Sequence, residues 1–234
     1  MRPALLAGLL LLPAPAAAQR QAETLRYHWS LRGLLGRVAG LVLPGEGRGE
    51  LRRSPEAGGT VTELEITSPQ GGDGEFYLYG SRTDAAGETQ EAWTSYRYRN
   101  KEKSRWEEVE QGDVVDIAAG IQRIRHQRPK GSLRLRIWSD GKVYPVVVRR
   151  VGEESITVPA GTYATTHYKV QGVQLPGERL WKGGLDLWLA DDAAATPVQI
   201  KVERGWANVR LELVPNGEGG SGSGGGAARR PGRG

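Results

Sequence analysis

Apolar and polar residues alternate in short runs from Leu25 to Leu213, and glycine-rich segments separate these runs. A period of two is typical of half-buried antiparallel strands, because successive side chains of a strand point to opposite faces of its sheet. Helical periodicity is the exception in this chain. The sequence therefore predicts a mainly β fold.

The alternation predicts six strands in the first half of the chain: Leu25–Leu31, Arg37–Leu43, Thr60–Thr67, Glu75–Tyr79, Trp93–Arg99 and Arg105–Val109. The linking segments PGEGRGE (44–50), SPEAGG (54–59) and SPQGGDG (68–74) are rich in turn-forming residues and predict surface turns.

The second half is more regular, and Asp140-Gly141 marks a hairpin there because both residue types tolerate a positive φ. The strands predicted in this half are Leu133–Trp138, Val143–Val148, Tyr163–Leu175, Glu178–Ala190, Val198–Val202 and Val209–Leu213.

One helix is predicted from about Asp113 to His126, with Asp113 as its N-cap. Gly120 weakens it by up to about 1 kcal/mol, so tertiary packing rather than propensity should stabilise it. Its apolar stripe consists of Val114, Ile117, Ala118, Ile121 and Ile124.

Two strands, LDLWLA (185–190) and VYPVVV (143–148), are apolar at both alternating positions, so both of their faces should be covered. We therefore expect a single curved antiparallel sheet, a half-barrel or an open barrel-like sheet, with the one helix packed on a face. A sheet whose concave side encloses an apolar ligand would satisfy the same pattern.

The first 18 residues, MRPALLAGLLLLPAPAAA, have the layout of a secretory signal peptide, with cleavage expected before Gln19. The segment from 216 to 234 predicts a disordered tail rich in Gly, Ser and Arg, which leaves 19–215 as a single β-rich domain. No other apolar run approaches the roughly 20 residues of a transmembrane helix. The expected location is the periplasm, as a soluble exported protein.

Composition excludes several kinds of site. The chain has no cysteine, which excludes disulfides, zinc-thiolate centres and a thiol nucleophile. Its formal charge of +5 falls to +2 once the signal peptide and the tail are set aside, too little for a nucleic-acid surface.

No catalytic constellation or cofactor motif can be named. His28, His126 and His167 do not have metal-ligand spacing relative to one another, so neither a metal nor a catalytic histidine is predicted. Asp191-Asp192 follows a strand and precedes a turn, which favours a solvated cap over a carboxylate dyad. We expect a protein that is not an enzyme and has no cofactor.

Seven tryptophans accompany a single phenylalanine. Most should fill the core of a curved sheet, but some could line an apolar groove. The candidate ligand-binding residues are Trp188, Tyr144 and Val146, followed by Trp181 and Trp138. Leu185, Leu187 and Leu189 would then form the structural core, although the sequence alone does not say which set faces inward.

Three functions are compatible with these observations. The first is an envelope protein that binds a lipid or another hydrophobic molecule in a cavity of the curved sheet. The second is a scaffold or assembly factor that binds another envelope protein. The third, a hydrolase, has the least support because no nucleophile and base can be named.

Several segments together resemble an exported bacterial family known as domain of unknown function 3108. They are LRYHW (25–29), WSDGKVYPVVV (138–148), the step from Gly152 to Ile156, PAGTY (159–163), LDLWLADD (185–192) and PVQI (197–200). The resemblance implies an exported, mostly β protein without a known cofactor, and it supplies no catalytic residue. Such proteins look like the half-barrel lipoprotein carriers of the cell envelope, but a shared fold does not fix function.

Overall fold

A computed structural model describes residues 22–32, 45–68, 75–98, 101–109, 112–204 and 207–216. The predicted signal peptide, the predicted strand Arg37–Leu43 and nearly all of the predicted tail lie outside these residues. The elements, in chain order, are β1 (Glu23–Arg32), β2 (Glu46–Glu56), β3 (Gly59–Ser68), β4 (Glu75–Asp84), β5 (Thr89–Tyr98), β6 (Lys101–Glu108), β7 (Val114–Val115), α1 (Ile117–Gln127), β8 (Ser132–Ser139), β9 (Lys142–Val158), β10 (Gly161–Gly172), β11 (Gly184–Ala190), β12 (Pro197–Arg204) and β13 (Ala207–Leu213).

The strands form one sheet in the order β6-β5-β4-β3-β2-β1-β13-β12-β11-β10-β9-β8-β7. Every pairing is antiparallel except that of β7 with β8. Among the described strands the sheet does not close by backbone pairing, so β6 and β7 are its two ends. Within the described part of the chain the structure is an open curved antiparallel sheet with one helix, which confirms the predicted fold class.

Side chains link the end strand β6 to β8 and to the turn between β8 and β9, close to the other end of the sheet. The Lys103 Nζ of β6 lies 2.6 and 2.7 Å from the carboxylate oxygens of Asp140, in the turn between β8 and β9. The indole Nε1 of Trp138 donates to Glu107 at 2.7 Å. The sheet is therefore strongly curved, and its concave side faces the helix.

The predicted Asp140-Gly141 hairpin is present. Both residues have positive φ, 51° and 73°, as a two-residue turn of this type requires.

The helix begins later than predicted, because Asp116 rather than Asp113 caps it. The Asp116 carboxylate accepts from the backbone N–H groups of Ala118 and Ala119, both at 2.9 Å, and from the Ser81 hydroxyl at 2.6 Å. Val114 and Val115 belong instead to β7. Burial raises the pKa of the Asp116 carboxyl, which is fully enclosed.

Two further sequence predictions were wrong. PGEGRGE and SPEAGG are not simply turns, because residues 46–56 form β2, and only Ala57 and Gly58 turn the chain into β3. The predicted strand Glu178–Ala190 begins only at Gly184, since residues 173–183 form an irregular connection.

The core lies between α1 and the concave side. All seven residues of β11 are buried, so both of its faces are covered, as predicted. Leu185, Leu187 and Leu189 belong to the same buried cluster as Ile121 and Ile124 of the helix. We call the side of the sheet that carries these three leucines the inner face.

Candidate functional site

An apolar groove of about 340 Å³ opens on the inner face, beside the N-terminal end of α1. The strands β1, β3, β4, β12 and β13 and the 173–183 connection all contribute to it. The apolar side chains that line it are Trp29, Leu31, Leu64, Ile66, Tyr77, Tyr79, Ile117, Trp181, Val202 and Val209.

Glycine at position 47 positions the Trp29 indole in this groove. A Cβ atom at Gly47 would collide with the Trp29 ring and with the Thr67 carbonyl oxygen. In the space that glycine leaves, the Trp29 Nε1 crosses β2 and donates to the Thr67 oxygen of β3 at 2.8 Å. The indole is thus fixed in orientation, with its polar atom satisfied and its ring available to the groove.

Trp181 closes the groove from the side of the irregular connection. Its ring lies over Gly183, where a Cβ atom would be only 3.1 Å from the indole. The side chain is half-buried and packs against the main core. It therefore forms a wall that depends on one loop residue rather than on the hydrogen-bonded sheet.

The Glu203 carboxylate lies at the edge of the groove and has a lowered pKa. Lys201 Nζ lies 2.6 Å from the Glu203 carboxylate, and this hydrogen bond lowers the pKa of Glu203. An ionised Glu203 keeps the edge of the groove polar, whereas its walls are aromatic and aliphatic.

The five sequence-predicted site residues do not converge. Of these, only Trp181 lines the groove. Val146 is packed in the core with 1% exposure, Tyr144 pairs with Ile137 on the inner face, and Trp138 lies near the end strand β6.

Trp188 points away from the inner face, because it alternates with Leu187 and Leu189 along β11. Its ring stacks on His167, with centroids 4.2 Å apart, and its Nε1 donates to Glu154 at 2.7 Å. A ligand-binding role for Trp188 stays a prediction, and it would need a surface other than the groove.

His167 is the most enclosed of the histidines predicted to be non-catalytic. Its Nε2 lies 2.9 Å from Asp186 and its Nδ1 lies 3.5 Å from Glu154. Both ring nitrogens therefore face carboxylates.

The predicted solvated turn at Asp191-Asp192 is present, with Asp192 hydrogen-bonded to the backbone and side chain of Thr196.

Most of the groove residues were not predicted from the sequence. Leu25, Tyr27, Trp29 and Leu31 alternate along β1, which is a readable signal for one buried face. No local signal shows that β1 pairs with β13, and that pairing brings Leu31 beside Val209.

Within the described ranges, no group of three or more potential metal ligands occurs. The helices described there include none with the length and apolar character needed to cross a membrane.

Two solved structures are similar to this chain. The β-barrel-like protein of domain of unknown function DUF1849 from Brucella abortus is 10% identical, with a TM-score of 0.53, over 82% of this chain and 95% of that one. The Mycobacterium tuberculosis lipoprotein LppX is 12% identical over 81% and 84% of the two chains, with a TM-score of only 0.28. The first likeness supports the fold alone.

No curated protein matches the sequence. The model of the family described as "Protein of unknown function (DUF3108)" matches residues 79–214, more than half of the chain and including α1 and all strands from β8 to β13. This match confirms the resemblance inferred from the sequence, and the chain belongs to the DUF3108 family.

Proposed function

We propose that this protein is an exported, non-enzymatic binding protein of the cell envelope that holds an apolar ligand, such as a lipid acyl chain, in the inner-face groove. The apolar groove of about 340 Å³ is the observation that carries the proposal. Its size falls at the lower end of the range for small-molecule sites, and its walls have the aromatic and aliphatic character of such sites.

The free energy gained by burying an acyl chain in the groove is large enough to support binding. Each buried methylene contributes about 0.8 kcal/mol, so eight methylenes would contribute about 6 kcal/mol before the cost of immobilising the chain. Trp29, Trp181 and Tyr77 supply rigid rings whose own ordering on binding costs little.

Binding is favoured over catalysis by the surroundings of His167. A general base must reach a proton on a nucleophile or substrate, but both ring nitrogens of His167 are directed at carboxylates and its ring is stacked on Trp188. Export is proposed from the signal-peptide layout of residues 1–18.

The alternative proposal, a scaffold that binds another envelope protein, has less support from the sheet edge. The end strand β6 is largely exposed and carries alternating charges, including Lys101, Glu102 and Lys103. Charges on an edge strand disfavour the addition of a strand from another chain.

The test uses the processed chain from Gln19, titrated with a fluorescent fatty acid and with a lysophospholipid. We expect saturable binding and a mass increment of one ligand in native mass spectrometry. Val209→Phe, which fills the groove, should weaken binding by about tenfold or more, equivalent to about 1.4 kcal/mol.

Val151→Phe is the matched control, because Val151 is 57% exposed on β9 and lies outside the groove. It should bind like the wild type. Absence of saturable binding in the wild type, or equal weakening by both substitutions, would exclude the groove as the ligand site and favour the scaffold alternative.

A further inference from the structure

A second cavity, of about 490 Å³, lies beside the C-terminal half of α1, away from the apolar groove. Its lining includes four arginines, Arg53, Arg123, Arg125 and Arg128. Glu88 is the single carboxylate among its described lining residues. We call this cavity the arginine cleft.

The inner face changes character where it enters the arginine cleft. Along β3 the inward positions are Leu64 and Ile66 at the groove end but Thr62 and Thr60 at the cleft end. Both threonines are nevertheless buried, with 3% and 5% exposure. Polar side chains on an ordinary solvated rim are exposed to water, whereas these two threonines are buried. Buried polar groups need hydrogen-bond partners.

Register places these polar residues in one row across four strands: Glu23, Arg53, Thr62 and Ser81. Glu23 receives two hydrogen bonds from Arg125, at 2.7 and 3.0 Å, and Ser81 donates to Asp116. Thr62 stands between Arg53 and Ser81 in this row and lines the cleft. The row therefore has hydrogen-bonded side chains at Glu23 and Ser81 and places Thr62 in the wall of the cleft.

Three of the cleft arginines, Arg125, Arg123 and Arg128, differ in the groups they contact. Arg125 pairs with Glu23, but Arg123 donates to the Gly87 carbonyl at 3.0 Å. Arg128 donates through one nitrogen to the Asp192 and Ala193 carbonyls, both at 2.8 Å. Among the described residues, the acceptors seen for Arg123 and Arg128 are neutral carbonyls, and each guanidinium has further N–H donors.

We propose that the arginine cleft binds a phosphate group, either as the free anion or on a lipid headgroup. Guanidinium forks match phosphate oxygens in geometry and charge, and the Thr62 hydroxyl supplies an additional donor from the sheet. The site is separate from the apolar groove and does not depend on ligand binding there.

Calorimetric titration of the processed chain with inorganic phosphate and with dihexanoyl phosphatidic acid tests this inference. We expect saturable binding of at least one of them, with a dissociation constant of about 1 mM or below. Thr62→Val and Arg123→Gln should each weaken it by about tenfold, because each removes a donor to the phosphate.

Arg134→Gln is the matched charge control, since Arg134 is exposed on β8 and outside the cleft. It should leave the affinity for both phosphate ligands unchanged. Thermal midpoints measured without phosphate establish that each variant is folded.

Binding of inorganic phosphate that depends on Thr62 and Arg123 supports the free anion as the ligand. Such dependence for dihexanoyl phosphatidic acid alone supports the lipid headgroup. The inference is overturned if neither ligand binds saturably to the wild type, or if Arg134→Gln weakens binding as much as Arg123→Gln does.

Discussion

The N-terminus of α1 allows a sharp test of the fold, because two nearby aspartates have very different roles. Asp116 is fully buried and accepts hydrogen bonds from Ala118, Ala119 and Ser81. Asp113, which the sequence pattern favoured as the cap, is exposed. Asp116→Ala should therefore destabilise the protein strongly, and Asp113→Ala should not.

The expected magnitude follows from the contacts that are lost. Removing a helix N-cap costs about 0.5–2 kcal/mol, and a buried hydroxyl left without a partner, here that of Ser81, costs about 1–3 kcal/mol. The substitution also removes the cost of burying the Asp116 carboxylate, which offsets part of this loss of stability. We expect a loss of about 2–4 kcal/mol for Asp116→Ala, against under about 0.5 kcal/mol for Asp113→Ala.

Urea denaturation followed by tryptophan fluorescence and far-UV circular dichroism measures both changes. Asp116→Asn, which keeps one acceptor oxygen, should be intermediate. Equal destabilisation by the Asp113 and Asp116 alanine variants would refute the assignment of Asp116 as the cap and would return the helix start to Asp113.

The pH dependence of the same variants gives an independent check. Burial raises the pKa of Asp116 above its usual value of 3.8, so the folded state holds this proton more tightly than the unfolded chain does. The stabilising effect of protonation is complete below pH 3.8 and is lost as pH rises through the folded-state pKa. The stability of the wild type relative to Asp116→Asn should fall across that range, and a difference independent of pH would contradict this.

Three other variants test the core, the groove and its edge. Ile121→Asp places an unpaired charge at a position with 1% exposure and should cost more than about 4 kcal/mol in urea denaturation, whereas an unchanged midpoint would mean that α1 is not docked. Gly47→Ala should displace the Trp29 indole and cost about 1–3 kcal/mol, while Gly152→Ala, with open space around it, serves as the control in the same denaturation assay. Glu203→Gln removes a carboxylate whose pKa Lys201 lowers, so the advantage of the wild type in thermal midpoint should be present above pH 4.5 and disappear as pH falls below it.

Sequence patterns predicted the elements whose signals are local. The Asp140-Gly141 hairpin depends on two residues that tolerate positive φ, and the doubly apolar β11 is recognisable from seven consecutive residues. The strand β2 was missed for the opposite reason. Its glycines resemble turn formers, but Gly47 makes room for Trp29, and a Cβ atom at Gly49 would lie 2.9 Å from Leu211. Contacts with distant strands, which no local window contains, explain these glycines.

The candidate site shows the same limit. Val148 pairs with Val170, and Val170 pairs with Leu185, so the inward positions of β9 share a face with Leu185. Tyr144 and Val146 therefore lie on the face opposite to Trp188. Alternation gives the two sets of residues within each strand, but only the register between strands says which sets belong together.

Alanine substitutions at Trp188 and Trp181 distinguish a packing role from a ligand-binding role. Trp188→Ala removes a ring with 9% exposure, its stack on His167 and its hydrogen bond to Glu154, so it should cost about 3–5 kcal/mol as an ordinary large-to-small change. Because its side chain points away from the groove, fatty-acid affinity of the folded variant should stay within about twofold of the wild type. Trp181→Ala should do the reverse: it removes a wall of the groove from a half-buried loop residue, so affinity should fall by about tenfold with a smaller loss of stability. If Trp188→Ala abolished binding while Trp181→Ala left it intact, the ligand would have to occupy the face of the sheet that carries His167 and Asp186, and the inner-face groove would be excluded.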